Sequence, residues 1–388
     1  MSAVSERLGE RLRPFATTIF AEMSALAVAT GSLNLGQGFP DTDGPDAVKE
    51  AAIAAITAGR NQYPPGIGTS ELRTAVAAHQ QRFYGIELDP ATDVLPTVGA
   101  TEAIAAALLA LCEPGDEVVM FDPAYDSYAA CVAMAGARRR VVTLRAPDWG
   151  FDASELEAAI TPQTRVILLN SPHNPTGKVF DRSELEAIAR VAIANDLIVV
   201  TDEVYEHLVY RGDHVPISTL PGMADRVLTI SSGGKTFSFT GWKVGWACGP
   251  ADLVAATRAA KQFLTYSANE ALQVAIATGL GLPDEYYEEF RAGMQARHDR
   301  LRDGLAAAGL EVLGADGTYF VTVDIRSIGE SDGLAFCRSL PDRCGVVAVP
   351  SAVFYADPAE GAPYVRFACC KRTEIIDEAC ERLARLSE

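Results

Sequence analysis

From Asp46 onward the chain alternates short runs rich in β-branched residues with longer amphipathic stretches, a pattern that admits few folds. V-V-M-F at 118 to 121, R-V-I-L-L-N at 165 to 170, L-I-V-V-T at 197 to 201 and V-L-T-I-S at 227 to 231 read as short strands. Between them, A-T-E-A-I-A-A-A-L-L-A-L at 100 to 111 and S-E-L-E-A-I-A-R-V-A-I-A at 183 to 194 carry helical periodicity. Strands that alternate with helices form a mainly parallel sheet with crossover helices, so the fold class is α/β.

Near residue 280 the character changes. Y-Y-E-E-F-R-A-G-M-Q-A-R-H-D-R-L-R-D-G-L predicts one long helix with an exposed face. Beyond it T-Y-F-V-T-V, G-V-V-A-V-P and Y-V-R-F-A-C predict strands, and a last helix starts at about Thr373. These shifts divide the chain into an N-terminal arm that forms part of a small domain (1–44), a large domain (45–285) and a small α+β C-terminal domain (286–388).

Charge narrows the partners. With 33 Lys plus Arg against 51 Asp plus Glu, the net charge of -18 argues against nucleic acid or an anionic membrane, so any anion must be captured locally. The polar start and the lack of any apolar run of about 18 residues lead us to expect a soluble, cytoplasmic protein. The 8 cysteines show no C-x-x-C spacing and are expected as buried, reduced thiols. The 5 histidines show no H-E-x-x-H or other ligand spacing, so no protein-bound metal is expected.

In an open parallel sheet, ligands bind beyond the carboxyl ends of the strands. After a strand near 94 to 98, V-G-A-T-E-A-I opens a helix whose free N–H groups suit an anion, although a plain glycine turn with a threonine cap reads the same. S-P-H-N-P-T-G makes a stiff loop carrying Asn174, and D-E-V-Y-E sets Asp202 and Tyr205 at a strand end with no basic residue nearby in sequence. S-S-G-G-K-T-F-S-F surrounds Lys235 with small and aromatic residues, a setting in which burial lowers an amine's pKa toward nucleophilic reactivity.

The G-K-T at 234 to 236 invites a nucleotide-hydrolase reading, with L-I-V-V-T-D-E as an acidic metal-binding strand. It fails because G-x-x-x-x-G-K-[ST] requires glycine where Thr229 stands, and because T-F-S-F-T-G-W-K-V-G-W reads as turn then strand. No G-x-G-x-x-G supports a dinucleotide enzyme either. An anion cradle, an amide, an acid, a phenol and a lysine on four loops together suit pyridoxal 5'-phosphate.

Over essentially its whole length the chain resembles the fold-type-I class I aminotransferases of the aspartate aminotransferase superfamily. The resemblance runs from L-N-L-G-Q-G-F-P-D at 33 to 41 through N-Q-Y-P-P, V-G-A-T-E-A, D-P-A-Y-D-S-Y, N-S-P-H-N-P-T-G, D-E-V-Y and the G-K-T-F-S-F-T-G-W-K-V-G-W stretch to Y-V-R-F at 364 to 367. Within that family it is similar to the kynurenine and glutamine aminotransferase branch. The N-succinyldiaminopimelate aminotransferases share its R-L-R-P-F-A-T-T-I-F-A-E-M-S-A-L-A.

The resemblance implies an aspartate-aminotransferase-like fold, with a mainly parallel sheet of the seven-stranded type in the large domain plus a small α+β domain. It implies a homodimer with shared active sites and a Schiff base between Lys235 and pyridoxal phosphate. Asp202 would pair with the pyridine nitrogen, Asn174 and Tyr205 with the ring's phenolic oxygen, and Tyr125 would stack on the ring. Gly99, Ala100, Thr101, Ser232 and Lys243 would hold the phosphate, joined by Tyr63 of the partner subunit. Arg366 would grip the substrate α-carboxylate beside Asn174, and Gly38 would let the N-terminal arm approach.

The implied reaction moves an amino group between an L-amino acid and a 2-oxo acid, with N-succinyldiaminopimelate, glutamine, methionine or aromatic amino acids as candidate donors. β-Elimination and C–C bond formation start with the same loss of the α-proton, so these residues do not separate the three reactions. Phe15, Phe39 and Tyr266 are further candidates for the pocket wall.

Overall fold

The computed structural model describes residues 7–15 and 18–387; residues 1–6 and 16–17 of the expected N-terminal arm lie outside the described residues. A seven-stranded sheet dominates, in the spatial order Val94–Thr97, Gly245–Cys248, Val227–Ser232, Ile198–Asp202, Thr164–Asn170, Glu117–Asp122 and Arg138–Thr143. Gly245–Cys248 runs antiparallel to both its neighbours. The other adjacent pairs are parallel.

Helices cover both faces, which is why the central strands are apolar throughout rather than alternating. Val118, Met120, Val166, Leu168 and Val200 pack toward one face against Ala103, Ile104 and Leu108 of the helix Gly99–Leu111. Val119, Phe121, Ile167, Leu169 and Val199 pack toward the other, against Leu185 and Ile188 of Arg182–Ala194. That second helix starts on a capping box in which Asp181 and Glu184 satisfy each other's backbone N–H groups.

The four strands read from the sequence are present, each within about a residue of the expected limits. Arg138–Thr143 was not foreseen, because an edge strand that begins R-R-R and is mostly exposed or half-buried lacks the apolar signal.

The long helix spans Asp284–Ala307 and buries Tyr287, Met294, His298, Leu301 and Leu305. A four-stranded antiparallel sheet follows, ordered Val349–Pro350, Tyr364–Ala368, Phe320–Asp324 and Glu311–Val312. The T-Y-F-V-T-V run enters its strand only at Phe320, because Thr318 has φ of 65°. Near the N-terminus the helix Ile19–Thr30 ends at Gly31 in the left-handed conformation, and Leu33–Asn34 then pairs with Val346–Val347. Among the described residues no helix is long and apolar enough to cross a membrane.

One close approach fixes where the large sheet meets its first helix. A Cβ on Gly245 would lie 2.7 Å from the Gly99 carbonyl carbon and 2.8 Å from the Ala100 nitrogen. Gly245→Ala is therefore expected to cost about 1–3 kcal/mol in urea unfolding. Gly241→Ala, with nothing within 4 Å of the added methyl, should change little. Equal stability of the two variants would show that this gap tolerates a methyl group.

Candidate active site

A cavity of about 310 Å³ opens at the carboxyl ends of the central strands. Every site residue expected from the sequence lines it except Tyr63.

Lys235 follows the strand Val227–Ser232 on a four-residue helical turn, Gly233–Thr236. The turn is tightly packed, since a Cβ at Gly233 would sit 2.8 Å from Ile276. Its Nζ donates to the Tyr319 hydroxyl at 2.9 Å and to the Gly38 carbonyl at 3.3 Å. Burial pushes this amine down to about 8, so part of it is uncharged at neutral pH and able to act as nucleophile or base.

Asp202 ends the next strand. Tyr128 donates its hydroxyl proton to Oδ2 at 2.7 Å, and the Val204 N–H reaches Oδ1 at 3.3 Å. Even so, burial pushes the carboxyl up to about 6. A carboxylate so placed is stabilised by a cation in the cavity, and a protonated ring nitrogen supplies one.

Asn170 lies at the end of the strand Thr164–Asn170, directly opposite Asp202 in the ladder. Its Nδ2 donates to the Asp202 carbonyl at 2.8 Å and to the Pro172 carbonyl at 3.1 Å, while its Oδ1 accepts the Asn174 N–H at 2.7 Å. Asn174 Oδ1 accepts from Arg366 Nη1 at 2.7 Å, which leaves Asn174 Nδ2 as the donor for a ligand.

Arg366 is 1% exposed. The Y-V-R-F alternation is compatible with either a surface or a buried charge, and here the guanidinium is buried. It donates to the Gly36 carbonyl at 3.0 Å and lies over Phe320, Phe354 and Phe20 at 4.1, 4.9 and 5.4 Å. Its Nε has no partner, and it forms no ion pair among the described residues. Burial pushes it down to about 10. A buried, unpaired fork of this kind matches a carboxylate ligand.

At the far end, Gly99 at φ of 72° opens the helix Gly99–Leu111, whose first-turn N–H groups have no intrahelical partner. A Cβ on Gly99 would stand 3.2 Å from both Cε and Nζ of Lys243, so that ammonium sits directly over the helix start. Ser232, Ala100 and Thr101 complete a concave, positively biased corner suited to a phosphate. Tyr125 lines the cavity edge-on to Tyr128 at 5.6 Å, and burial pushes its phenol up to about 12. The Tyr205 hydroxyl points to that of Tyr319 at 3.4 Å.

A phosphate corner, a carboxylate for a ring nitrogen, an amide donor and a weakened lysine therefore fit pyridoxal phosphate in every part. Tyr63 stands apart, 86% exposed in a surface cleft with its ring 5.9 Å from Tyr266. Of the further wall candidates, Phe39 lines the cavity, Phe15 lines a neighbouring groove and Tyr266 lies with Tyr63.

Sequence reading assigned no role to Tyr128, Asn170 or Tyr319. Tyr128 had a visible signal, as it lies three residues after Tyr125, on the first turn of the helix Asp126–Met134. The histidines show the limits of spacing along a chain: His79 and His207 bring their Nε2 atoms to 2.7 Å, with Glu206 close by. Burial pushes both rings down, His79 to about 3, so they are neutral.

The model of the family described as aminotransferase class I and II matches residues 30–383. A probable N-succinyldiaminopimelate aminotransferase of Mycobacterium tuberculosis is 52% identical over 390 residues, spanning 97% of this chain and 98% of that protein. A methionine aminotransferase of Escherichia coli is 38% identical over 377 residues, 97% of each chain. The solved structure of N-succinyldiaminopimelate aminotransferase from Mycobacterium tuberculosis superposes with a TM-score of 0.95 at 52% identity, covering 98% of this chain and 100% of that one.

The state of Asp202 has a measurable consequence. Its folded pKa of about 6 exceeds the ordinary 3.8, so between those values the unfolded chain ionises first and stability falls as pH rises. In cofactor-free protein, Asp202→Asn should therefore gain roughly 1–3 kcal/mol at pH 7.5. Below pH 3.8 it should gain nothing. Chemical denaturation at the two pH values checks this, and a loss of stability at pH 7.5 would contradict it.

Proposed function

The chain belongs to the class I and II aminotransferases, pyridoxal-phosphate enzymes that move an amino group between an amino acid and a 2-oxo acid, and from that premise we propose how its residues divide the work. The cofactor supplies a ring into which charge from the substrate α-carbon can spread. Lys235 would anchor it, and the Lys235 amine would carry the substrate α-proton. Asp202 holds the proton of the ring nitrogen, and Asn174 and Tyr205 donate to the ring oxygen. Gly99, Ala100, Thr101, Ser232 and Lys243 bind the phosphate, and Tyr125 covers the ring face.

Arg366 binds the substrate α-carboxylate. One observation carries this reading: the half-buried Lys235 and the buried Asp202 and Arg366 open on a single cavity. Gly38 allows the N-terminal segment to press close, since a Cβ there would lie 2.9 Å from Phe320. The donor proposed first is N-succinyldiaminopimelate, on the strength of 52% identity across nearly both full lengths.

The working form is proposed to be a homodimer in which Tyr63 reaches the partner's phosphate corner. In support, Tyr63 and Phe263 are 86% and 85% exposed, and Leu264 and Tyr266 extend the same apolar surface. All eight cysteines are free and seven of them are buried, which suits a reducing compartment such as the cytoplasm.

Borohydride reduction of the cofactor-loaded enzyme should fix the cofactor on the peptide that contains Lys235; label on another lysine would overturn the assignment. Arg366→Gln should lower kcat/KM for an amino-acid donor by about 10²–10³-fold, as expected for losing one partner of a buried charged pair. With donor alone, one equivalent of 2-oxo acid should form and no ammonia, whereas ammonia release would point to elimination. Mixed dimers of Tyr63→Ala and Lys235→Ala chains should recover activity that neither variant has alone, because one site per hybrid is intact. No recovery in hybrids shown to form would refute the shared site.

A further inference from the structure

Lys235 rests against a residue to which neither the family's motifs nor the loops of the large sheet point. Tyr319 precedes the strand Phe320–Asp324 of the small sheet, is 1% exposed, and brings its hydroxyl to 2.9 Å from Lys235 Nζ. We propose that Tyr319 is a positioning residue for Lys235: its oxygen and the Gly38 carbonyl hold the two protons of the uncharged amine and so turn the nitrogen lone pair into the cavity. The proposal rests on the reading of Lys235 as the residue that moves the α-proton.

Donor and acceptor roles follow from the contacts. The Tyr319 hydroxyl donates its proton to the Gly38 carbonyl at 2.6 Å. Toward Lys235 it is then an acceptor. The Gly38 carbonyl, 3.3 Å from Nζ, can only accept. The amine therefore meets two acceptors on this side and no donor. An uncharged amine has two protons and one lone pair, so once both protons are held the pair must lie along the remaining direction. Burial drives the Tyr319 phenol far above its ordinary range, so it stays un-ionised and keeps its own proton for Gly38.

The backbone holds Tyr319 to this task. Thr318 is left-handed at φ of 65°, a conformation that strains a non-glycine residue. It is pinned by its N–H to the Leu208 carbonyl at 2.7 Å and by its carbonyl to the Tyr210 hydroxyl. Both anchors belong to the segment that follows Tyr205, so Tyr319 is carried by one sheet and aligned by the other. Gly38 completes the fit, as a Cβ there would stand 3.2 Å from Tyr319 Cε2.

Tyr319→Phe keeps the ring and its packing and deletes the acceptor. Cofactor occupancy should be unchanged, kcat should fall by about 10–100-fold with the donor KM within about two-fold, and the primary isotope effect with α-deuterated donor should rise. In a Lys235→Ala background, adding Tyr319→Phe should slow the residual single-turnover rate no further, because Tyr319 acts through the lysine. Wild-type kcat and isotope effect in Tyr319→Phe, or an equal further loss in the Lys235→Ala background, would overturn the proposal while leaving Lys235 in place. Retention of the wild-type rate by Lys235→Ala would overturn the premise, and the proposal with it.

Discussion

Three ionisable groups, Asp202 and Arg366 buried and Lys235 half-buried, stand beside one cavity without pairing with one another, and the surrounding structure answers to that constraint. Asp202 is pushed up to about 6, Lys235 down to about 8 and Arg366 down to about 10, each chiefly by loss of water. Side chains with so much unmet electrostatic demand favour conformations that let water in. The fold resists by fixing each group at a rigid point: a central strand end for Asp202, a glycine-packed turn for Lys235 and a paired strand for Arg366. A ligand that brings a cation, a carbonyl and a carboxylate relieves all three at once, and the same imbalance gives the site its affinity for such a ligand.

The phosphate corner is tied to the proposed dimer surface by one carboxylate. Glu102 accepts the Val98 N–H at 2.6 Å through one oxygen, closing the turn before the helix Gly99–Leu111, and the Thr265 hydroxyl through the other. Lys261 then donates to the Tyr266 carbonyl at 2.7 Å and helps hold Tyr266 at φ of 64° against Tyr63. The helix start proposed to receive an anion and the exposed aromatics on the surface are thus placed by a connected set of hydrogen bonds.

The sheet and the place of Lys235 at its carboxyl edge were legible in the sequence for a common reason. Strands buried on both faces leave unbroken apolar runs, and ligands in such sheets gather at strand ends, so Asp202, Ser232 and Lys235 announce themselves locally. Arg138–Thr143 did not, because an edge strand is allowed to be polar. Tyr319 and Asn170 escaped for a different reason. Their roles depend on which atom lies opposite, across 84 residues from Tyr319 to Lys235 and 32 from Asn170 to the Asp202 carbonyl, and no spacing rule along a chain records that. Arg366 was the intermediate case: the Y-V-R-F alternation allowed a surface or a buried charge, and only three surrounding phenylalanine rings and a missing counter-ion decide between them.

Arg366 also settles the orientation of Asn174. The two ends of an amide differ only in hydrogen bonding, so its orientation is set by its neighbours. With Arg366 Nη1 at 2.7 Å, the end facing the guanidinium must be oxygen, since the flipped amide would set donor against donor beside a buried charge. The N–H₂ is then turned to the cavity, where it can only donate. The Asn170 side chain holds the Asn174 backbone at 2.7 Å, so the loop cannot swing to escape the choice. One arginine thereby does two things: it offers a carboxylate site, and it fixes the polarity of the amide proposed to meet the ring oxygen. A substitution at Arg366 that keeps charge but loses the Nη1 contact would leave the carboxylate site attractive and the amide free to turn, so in the proposed roles the ring-oxygen contact and carboxylate binding would be coupled through a single hydrogen bond.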